Sequence, residues 1–386
     1  MPDKREITGA IPPEANVSCP YPVRHLPCVG VGEFPAAADA MVQPNVGLAG
    51  WRCVAHDPQS LPPPSQATLL NFDRSSFEEA RARIAGSIHR TPLLRSRSLS
   101  HRVGRPIYLK CENLQKTGAF KVRGALHRLI RLSDEERARG VVTISAGNHA
   151  QAVAWAGSAA GVRTVVVMPA LASPAKVQAS REYGAEVILH GDAKAAFAKA
   201  FELAEERNLR FVHPFDDAEV VAGHGSCGLE ILEDLPDVGT IVVPVGGGGL
   251  LSGIATAAAS VRPEVDVWGV EPEGADAMCR SLEAGQAVHL DKVDTIADGL
   301  AAPMAGVLNY ALVAAHARGV VTVSDEAIVG SMKLLLERTK LLAEPAGAAG
   351  LAALLEGRIP AENDAPVAVV ISGGNLDLAL LGRLLS

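Results

Sequence analysis

The segment ENLQKTGAFKVRG, residues 112–124, sets Lys121 between Phe120 and Val122, in a run short of carboxylates. A lysine on a helix face is ordinarily a solvated charge. A lysine among apolar neighbours is a different reagent, because desolvation disfavours its ammonium form and frees the amine as a base or nucleophile. A second stretch, VVPVGGGGLLSG at 242–253, carries four consecutive glycines between a strand-like run and a run of small apolar residues. Each glycine costs roughly 0.5–1 kcal/mol of backbone entropy relative to alanine. A chain keeps four where φ must be positive or where a ligand must approach the main chain. A strand–glycine–helix junction offers free N–H groups and a positive helix end to an anion, typically phosphate. The alternative is a tight turn with close helix packing.

Neither known glycine fingerprint fits. For G-x-G-x-x-G the last position is Leu251 counting from Gly246, or Ser252 counting from Gly247, and no lysine follows as G-x-x-x-x-G-K-[ST] requires. A small phosphate monoester suits the turn better than a dinucleotide or nucleoside triphosphate. ISAGNHAQA (144–152) also leaves a strand-like run and opens a helix-like one. Ser145, Asn148 and nearby N–H groups would form a polar cup suited to a carboxylate or ring hydroxyl; ordinary helix capping explains the same residues. G-x-S-x-G is absent, so Ser145 has no nucleophile signature. ISGGN (371–375) follows the final strand-like run and offers one hydroxyl, Ser372.

These residues need elements to hold them. From about residue 66 short β-branched runs alternate with helical stretches: 106–111, 140–145, 163–169, 185–190, 240–245, 265–271, 319–324 and 366–372 read as strands. The pattern predicts helices over 149–161, 173–184 and 192–208, and Ser75 with Glu78 gives the spacing of a capping box before a helix ending near Ser87. Alternation of this kind implies an α/β fold with buried parallel sheets covered on both faces. Ligands then bind beyond the carboxyl ends of the strands, where the polar and glycine stretches lie. A lysine and three such strand ends suggest a small, flat, phosphorylated cofactor bearing an aldehyde, with which an amine condenses.

The totals agree. Among 386 residues, 48% are apolar, which is ample for a core, and only 4% are aromatic, so the core must be aliphatic. A net charge of −7 without a basic stripe argues against nucleic acid. No apolar run reaches membrane-spanning length. Six cysteines without a CxxC pair read as reduced thiols of a cytoplasmic protein. Residues 1–65 hold twelve of the 25 prolines, show no period and read as a poorly ordered extension.

Taken in order, ENLQKTGAFKVRGA, SAGNHAQA, VPVGGGGLLSG and SGGN resemble the fold-type II pyridoxal-phosphate enzymes, in the branch of threonine/serine dehydratases and serine racemases. The resemblance covers about residues 70–386. It implies a tryptophan-synthase-β-like fold with two open, parallel-rich twisted sheets. A large domain (66–138 plus 218–386) and a small inserted one (139–217) would flank a cleft. It implies that Lys121 bonds the cofactor aldehyde, that Phe120 stands beside the ring and that Asn148 meets the ring hydroxyl. The main chain of Gly246, Gly247, Gly248, Gly249 and Leu250 would cradle the phosphate. Ser372 would meet the pyridine nitrogen, and Glu344 would lie near the ring edge. Ser145, Asn148 and His149, largely by main-chain groups, would hold the substrate carboxylate.

The expected activity is elimination of the β-hydroxyl of L-threonine or L-serine. Alternatives are a dehydratase of another β-hydroxy amino acid, a racemase, or a non-catalytic cofactor-holding protein. Where serine racemases carry a second serine this chain has Ala146, so racemisation is expected to be poor. At the family's divalent-metal site Glu271 and Ala275 match but Ala277 replaces the aspartate, so a monovalent cation or none is expected there. A homodimer or homotetramer is expected, and no carboxyl-terminal regulatory domain.

Overall fold

The structure is a computed structural model that describes Cys53–Ala55, 72–360 and 364–385. Eleven strands are described: β1 (Cys53–Ala55), β2 (Leu93–Arg95), β3 (Ile107–Lys110), β4 (Val141–Ile144), β5 (Thr164–Met168), β6 (Glu186–Leu189), β7 (Arg210–Phe211), β8 (Thr240–Pro244), β9 (Asp266–Pro272), β10 (Gly319–Val323) and β11 (Val367–Val370). The helices of the first half are α1 (Arg74–Ile84), α2 (Arg97–Val103), α3 (Val122–Ile130), α4 (Asp134–Arg139), α5 (Asn148–Ala160), α6 (Pro174–Glu182) and α7 (Ala193–Glu206). Those of the second are α8 (Ala218–Asp234), α9 (Gly249–Val261), α10 (Ala277–Ala284), α11 (Val307–His316), α12 (Asp325–Leu334), α13 (Pro345–Leu355) and α14 (Leu378–Leu385).

The strands form two open sheets. One has the order β1-β10-β9-β8-β11-β3-β2, parallel except at its two edges, where β1 and β2 run antiparallel. The other, β6-β5-β4-β7, is parallel throughout. Strand alternation divides the larger core. Ile241 and Val243 of β8 pack with α8, α9 and α11 through Ile231, Leu250, Ile254 and Val313. Val242, between them, faces the opposite layer with Ile328 of α12 and Leu351 of α13. Both faces of these strands are therefore buried, which is why their runs are apolar throughout rather than alternating. The smaller sheet is covered likewise, by Ala196, Ala200 and Leu203 of α7 on one side and Ala150 and Ala154 of α5 on the other.

The eight long strand-like runs all form strands, and the three predicted helices lie where the periodicity puts them. Three short strands carry too few residues to show a period: β2, β7 and β1. The last falls inside the stretch read as an extension, and pairs with β10; the rest of 1–65 lies outside the described residues. The first capping box is also corrected. Asp73, not Ser75, caps α1, accepting from the Ser76 N–H at 2.9 Å, while the Ser76 hydroxyl accepts from the Asp73 N–H. Asp73 supplies the stronger acceptor two residues earlier. Among the described residues no helix is long and apolar enough to cross a membrane, and Cys111, Cys227 and Cys279 are buried.

Candidate active site

Lys121 sits where the chain leaves two tight 3-10 turns and enters α3. The turns are forced by Thr117 and Gly118, with φ of +59° and +72°. Gly118 is required there, because a β-carbon would collide with the Asn375 side chain. Main-chain bonds then join this segment to the end of β11: Ala119 bridges Gly373 antiparallel, and the Phe120 N–H donates to the Ser372 carbonyl at 3.0 Å. The first turn of α3 is fastened by Arg123, fully buried, whose guanidinium donates to Glu112 at 2.7 and 2.8 Å and to Glu230 at 2.8 and 2.9 Å. Lys110 donates to Glu230 at 2.6 Å. Two cations and two carboxylates thus balance within the core, as buried charge requires.

Lys121 is half-buried. Its Nζ donates to the Pro214 carbonyl at 3.0 Å and lies 5.1 Å from the centroid of the Phe120 ring. Burial pushes its pKa down to about 8, with no carboxylate offsetting the effect. The amine is therefore substantially neutral at slightly alkaline pH and able to accept a proton or bond a carbonyl carbon.

Pro214 belongs to the turn His213–Asp217, which also shapes the glycine loop. The Phe215 ring occupies the space a β-carbon on Gly247 would need, and Gly248 has φ +94° with Met278 and Asn309 against it. The Gly247 carbonyl is held by the Asn309 side chain at 2.9 Å and by the Gly306 N–H at 3.1 Å. The N–H groups of 246–250 donate to no other described residue, so they stand open at the start of α9. Open N–H groups at a helix start can receive an anion, and the turn that packs on this loop through Phe215 is the one that meets the Lys121 amine through Pro214.

Asn148 is the first residue of α5. Its Nδ2 donates to Glu344 at 2.6 Å, and its Oδ1 accepts from Asn375 Nδ2 at 2.9 Å. The same Asn375 amide donates to the Thr117 carbonyl at 2.6 Å. Burial pushes the Glu344 carboxyl up to about 8. Ser145 is half-buried and its hydroxyl accepts from the Gly147 N–H at 3.1 Å. The His149 imidazole points away from these groups: its Nε2 is 2.9 Å from the Thr143 hydroxyl. That hydroxyl donates to the Val212 carbonyl, so Nε2 carries the proton. Burial first, then the Lys121 charge, holds His149 well below the usual histidine range. Ser372 is buried at the end of β11, and its hydroxyl bonds no other described residue.

Glu271 has another use for its oxygens. They accept from the Met278 and Cys279 N–H groups at 2.9 and 2.8 Å and so cap α10 in place of a side chain at its own N-cap. Burial raises its pKa to about 8. Ala275 is buried beside it. Among the described residues no cluster of His, Cys, Asp or Glu is suited to a metal ion.

Sequence reasoning missed His213, Pro214, Phe215, Asn309 and Asn375. Asn375 closes the SGGN motif and was within reach. The HPFDD run was a second signal, since it is polar, follows β7 and precedes α8.

An open N–H turn, a desolvated amine and an unpartnered hydroxyl at the carboxyl end of the neighbouring parallel strand β11 fit a flat ring carrying phosphate, aldehyde and a ring nitrogen. Comparison with known proteins points the same way. Residues 84–373 match the family described as pyridoxal-phosphate dependent enzyme. The L-threonine ammonia-lyase of Thermotoga maritima is 46% identical over 80% of this chain and 77% of its own. The catabolic L-threonine dehydratase of Escherichia coli K12 is 43% identical over 79% of this chain and 94% of its own. Among solved structures, maize serine racemase superposes with a TM-score of 0.78 at 39% identity, covering 81% of this chain and 97% of that one. The match spans the lysine segment, the glycine cradle and the end of β11 together, and the chain belongs to the pyridoxal-phosphate dependent enzymes of fold type II.

Proposed function

We propose that this chain is an ammonia-lyase that eliminates the β-hydroxyl of L-threonine, L-serine or both, leaving a 2-oxo acid and ammonia. The observation that carries the reading is the Lys121 amine, desolvated to a pKa of about 8 and hydrogen-bonded to Pro214 beside the glycine cradle. The relatives named for threonine elimination support the choice of substrate class.

Pyridoxal phosphate, when bound, supplies the electron sink for negative charge at the substrate α-carbon. The N–H groups of 246–250 would hold its phosphate, Lys121 its aldehyde, Phe120 its ring face, Asn148 its ring hydroxyl, Glu344 its edge and Ser372 its nitrogen. A serine hydroxyl donates one neutral hydrogen bond, where an aspartate would fix a full positive charge on the ring. A weaker sink favours prompt loss of the β-substituent over longer-lived carbanion chemistry.

The substrate carboxylate would lie at the amino end of α5, on main-chain groups of Ser145, Asn148 and His149, where the helix field favours an anion. Freed Lys121 takes the α-proton at Nζ, and Pro214 accepts a hydrogen bond from the ammonium so formed. The hydroxyl leaves with a proton as water. The released enamine takes up water and yields the 2-oxo acid and ammonia. Ala146 offers no proton donor on the opposite face, which disfavours racemisation.

A large unit (66–138 with 218–386) and an inserted one (139–217), a cytoplasmic location, a homodimer or homotetramer, and a monovalent cation or none complete the proposal. The test is a panel of β-hydroxy amino acids scored for 2-oxo acid and ammonia. Threonine and serine should react and 3-hydroxyaspartate and phenylserine should not. Racemised serine without 2-oxo acid would reverse the assignment.

A further inference from the structure

We propose that His213 is a positioning residue, holding the Pro214 carbonyl against the Lys121 amine. The inference rests on the lyase reading above and deepens it. The Pro214 carbonyl receives Nζ at 3.0 Å. What aims that carbonyl is the turn after it, and the turn is closed by one atom: His213 Nδ1 accepts from the Asp216 N–H at 2.8 Å and from the Phe215 N–H at 3.3 Å. The ring is held in place by Phe215, edge-on at 4.6 Å between centroids, and by Phe211 at 6.1 Å.

Beyond the turn the chain is pinned. Asp216 accepts from the Val307 and Leu308 N–H groups at 3.1 Å and Asp217 caps α8. The Phe215 carbonyl accepts from Asn309 at 3.1 Å. With both flanks fixed, the free variable at Pro214 is the direction of its carbonyl, and His213 sets it.

Nδ1 accepts only while it carries no proton. Protonation would turn an acceptor of two N–H groups into a donor facing them, and the turn would open. The groups that bear on this are few. Burial opposes the imidazolium most, Asp216 and Asp217 favour it, and the Lys121 charge opposes it; His149, itself held neutral, faces it from α5. The balance leaves His213 below the usual histidine range. Activity should therefore fall on the acid side as His213 takes up a proton, apart from any loss caused by protonation of Lys121.

Asparagine separates a structural role from this one, because its Oδ1 stands close to where Nδ1 does and does not titrate. His213→Asn should keep kcat within about threefold and lose the acid limb assigned to His213. His213→Leu removes the acceptor and should lower kcat about 10- to 100-fold, the cost of a misplaced base, with KM little changed. A second readout needs no turnover. In cofactor-free protein, Lys121 acetylation by trace acetic anhydride is followed against pH by peptide mass spectrometry. In His213→Leu its titration should move to lower pH, for want of the carbonyl that stabilises the ammonium. In His213→Asn it should match the wild type. An acid limb unchanged in His213→Asn, or unmoved Lys121 labelling in His213→Leu, overturns the proposal. If the leucine variant does not fold, the asparagine profile decides alone. If wild-type protein releases no ammonia, the lyase reading fails and the labelling still decides the role of His213.

Discussion

Asn148 Nδ2 donates to Glu344 Oε1 across 2.6 Å, joining the amino end of α5 to the N-cap of α13. The carboxyl is buried and its pKa is raised to about 8, chiefly by desolvation. In the unfolded chain the same group ionises near 4.5. Between these values the folded state holds more protons than the unfolded one, so this group's contribution to stability falls as pH rises through the window. Glu344→Gln abolishes the effect. The variant's stability relative to wild type, measured by urea denaturation of the cofactor-free protein, should increase from pH 5 to pH 8.

Lys121→Ala should lower kcat for 2-oxo acid formation by at least about 10³-fold, since proton transfer by a placed side chain contributes roughly 10²–10⁴ and the bond to the aldehyde is lost as well. Borohydride treatment followed by intact mass should show the cofactor adduct on wild type and none on the variant. An adduct of equal yield would place the covalent bond on another lysine.

Gly248→Ala tests the cradle. An alanine at φ +94° costs about 1–2 kcal/mol of backbone strain, and its β-carbon meets the Met278 methyl at 2.5 Å. Denaturation should show a loss of at least that size. Affinity for pyridoxal phosphate should fall more than affinity for pyridoxal, which lacks the group the turn receives.

Arg123→Leu should destabilise the protein by about 3–5 kcal/mol, because Glu112 would stay buried without its cation and Glu230 would keep Lys110 alone. Arg123→Lys should recover part of this, since an ammonium cannot make the paired bonds of the guanidinium fork. Urea midpoints rank the three proteins.

Much of this was legible in the residues. The long strands announced themselves because both faces of the sheets are largely covered, so most of their positions are apolar. The special backbone of the glycine turn was legible because positive φ at Gly248 and the Phe215 ring over Gly247 leave room for no other residue. What escaped was set by distance along the chain. Nothing near Lys110 or Arg123 in the sequence tells that both are buried, because Glu230, which meets both, arrives from α8. His149 was legible only as a main-chain position, and only the fold shows that its ring meets the Thr143 hydroxyl. β7, two residues long, has no period to detect, and so the HPFDD turn behind it went unread.

The bond from the Phe120 N–H to the Ser372 carbonyl also orders events in the life of the molecule. Its two ends are far apart in the chain, and the lysine segment leans on the last strand for its shape. A ribosome must deliver β11 before the pocket around Lys121 can close. Vitamin capture therefore comes after synthesis, and a nascent chain stalled before residue 372 should take up none.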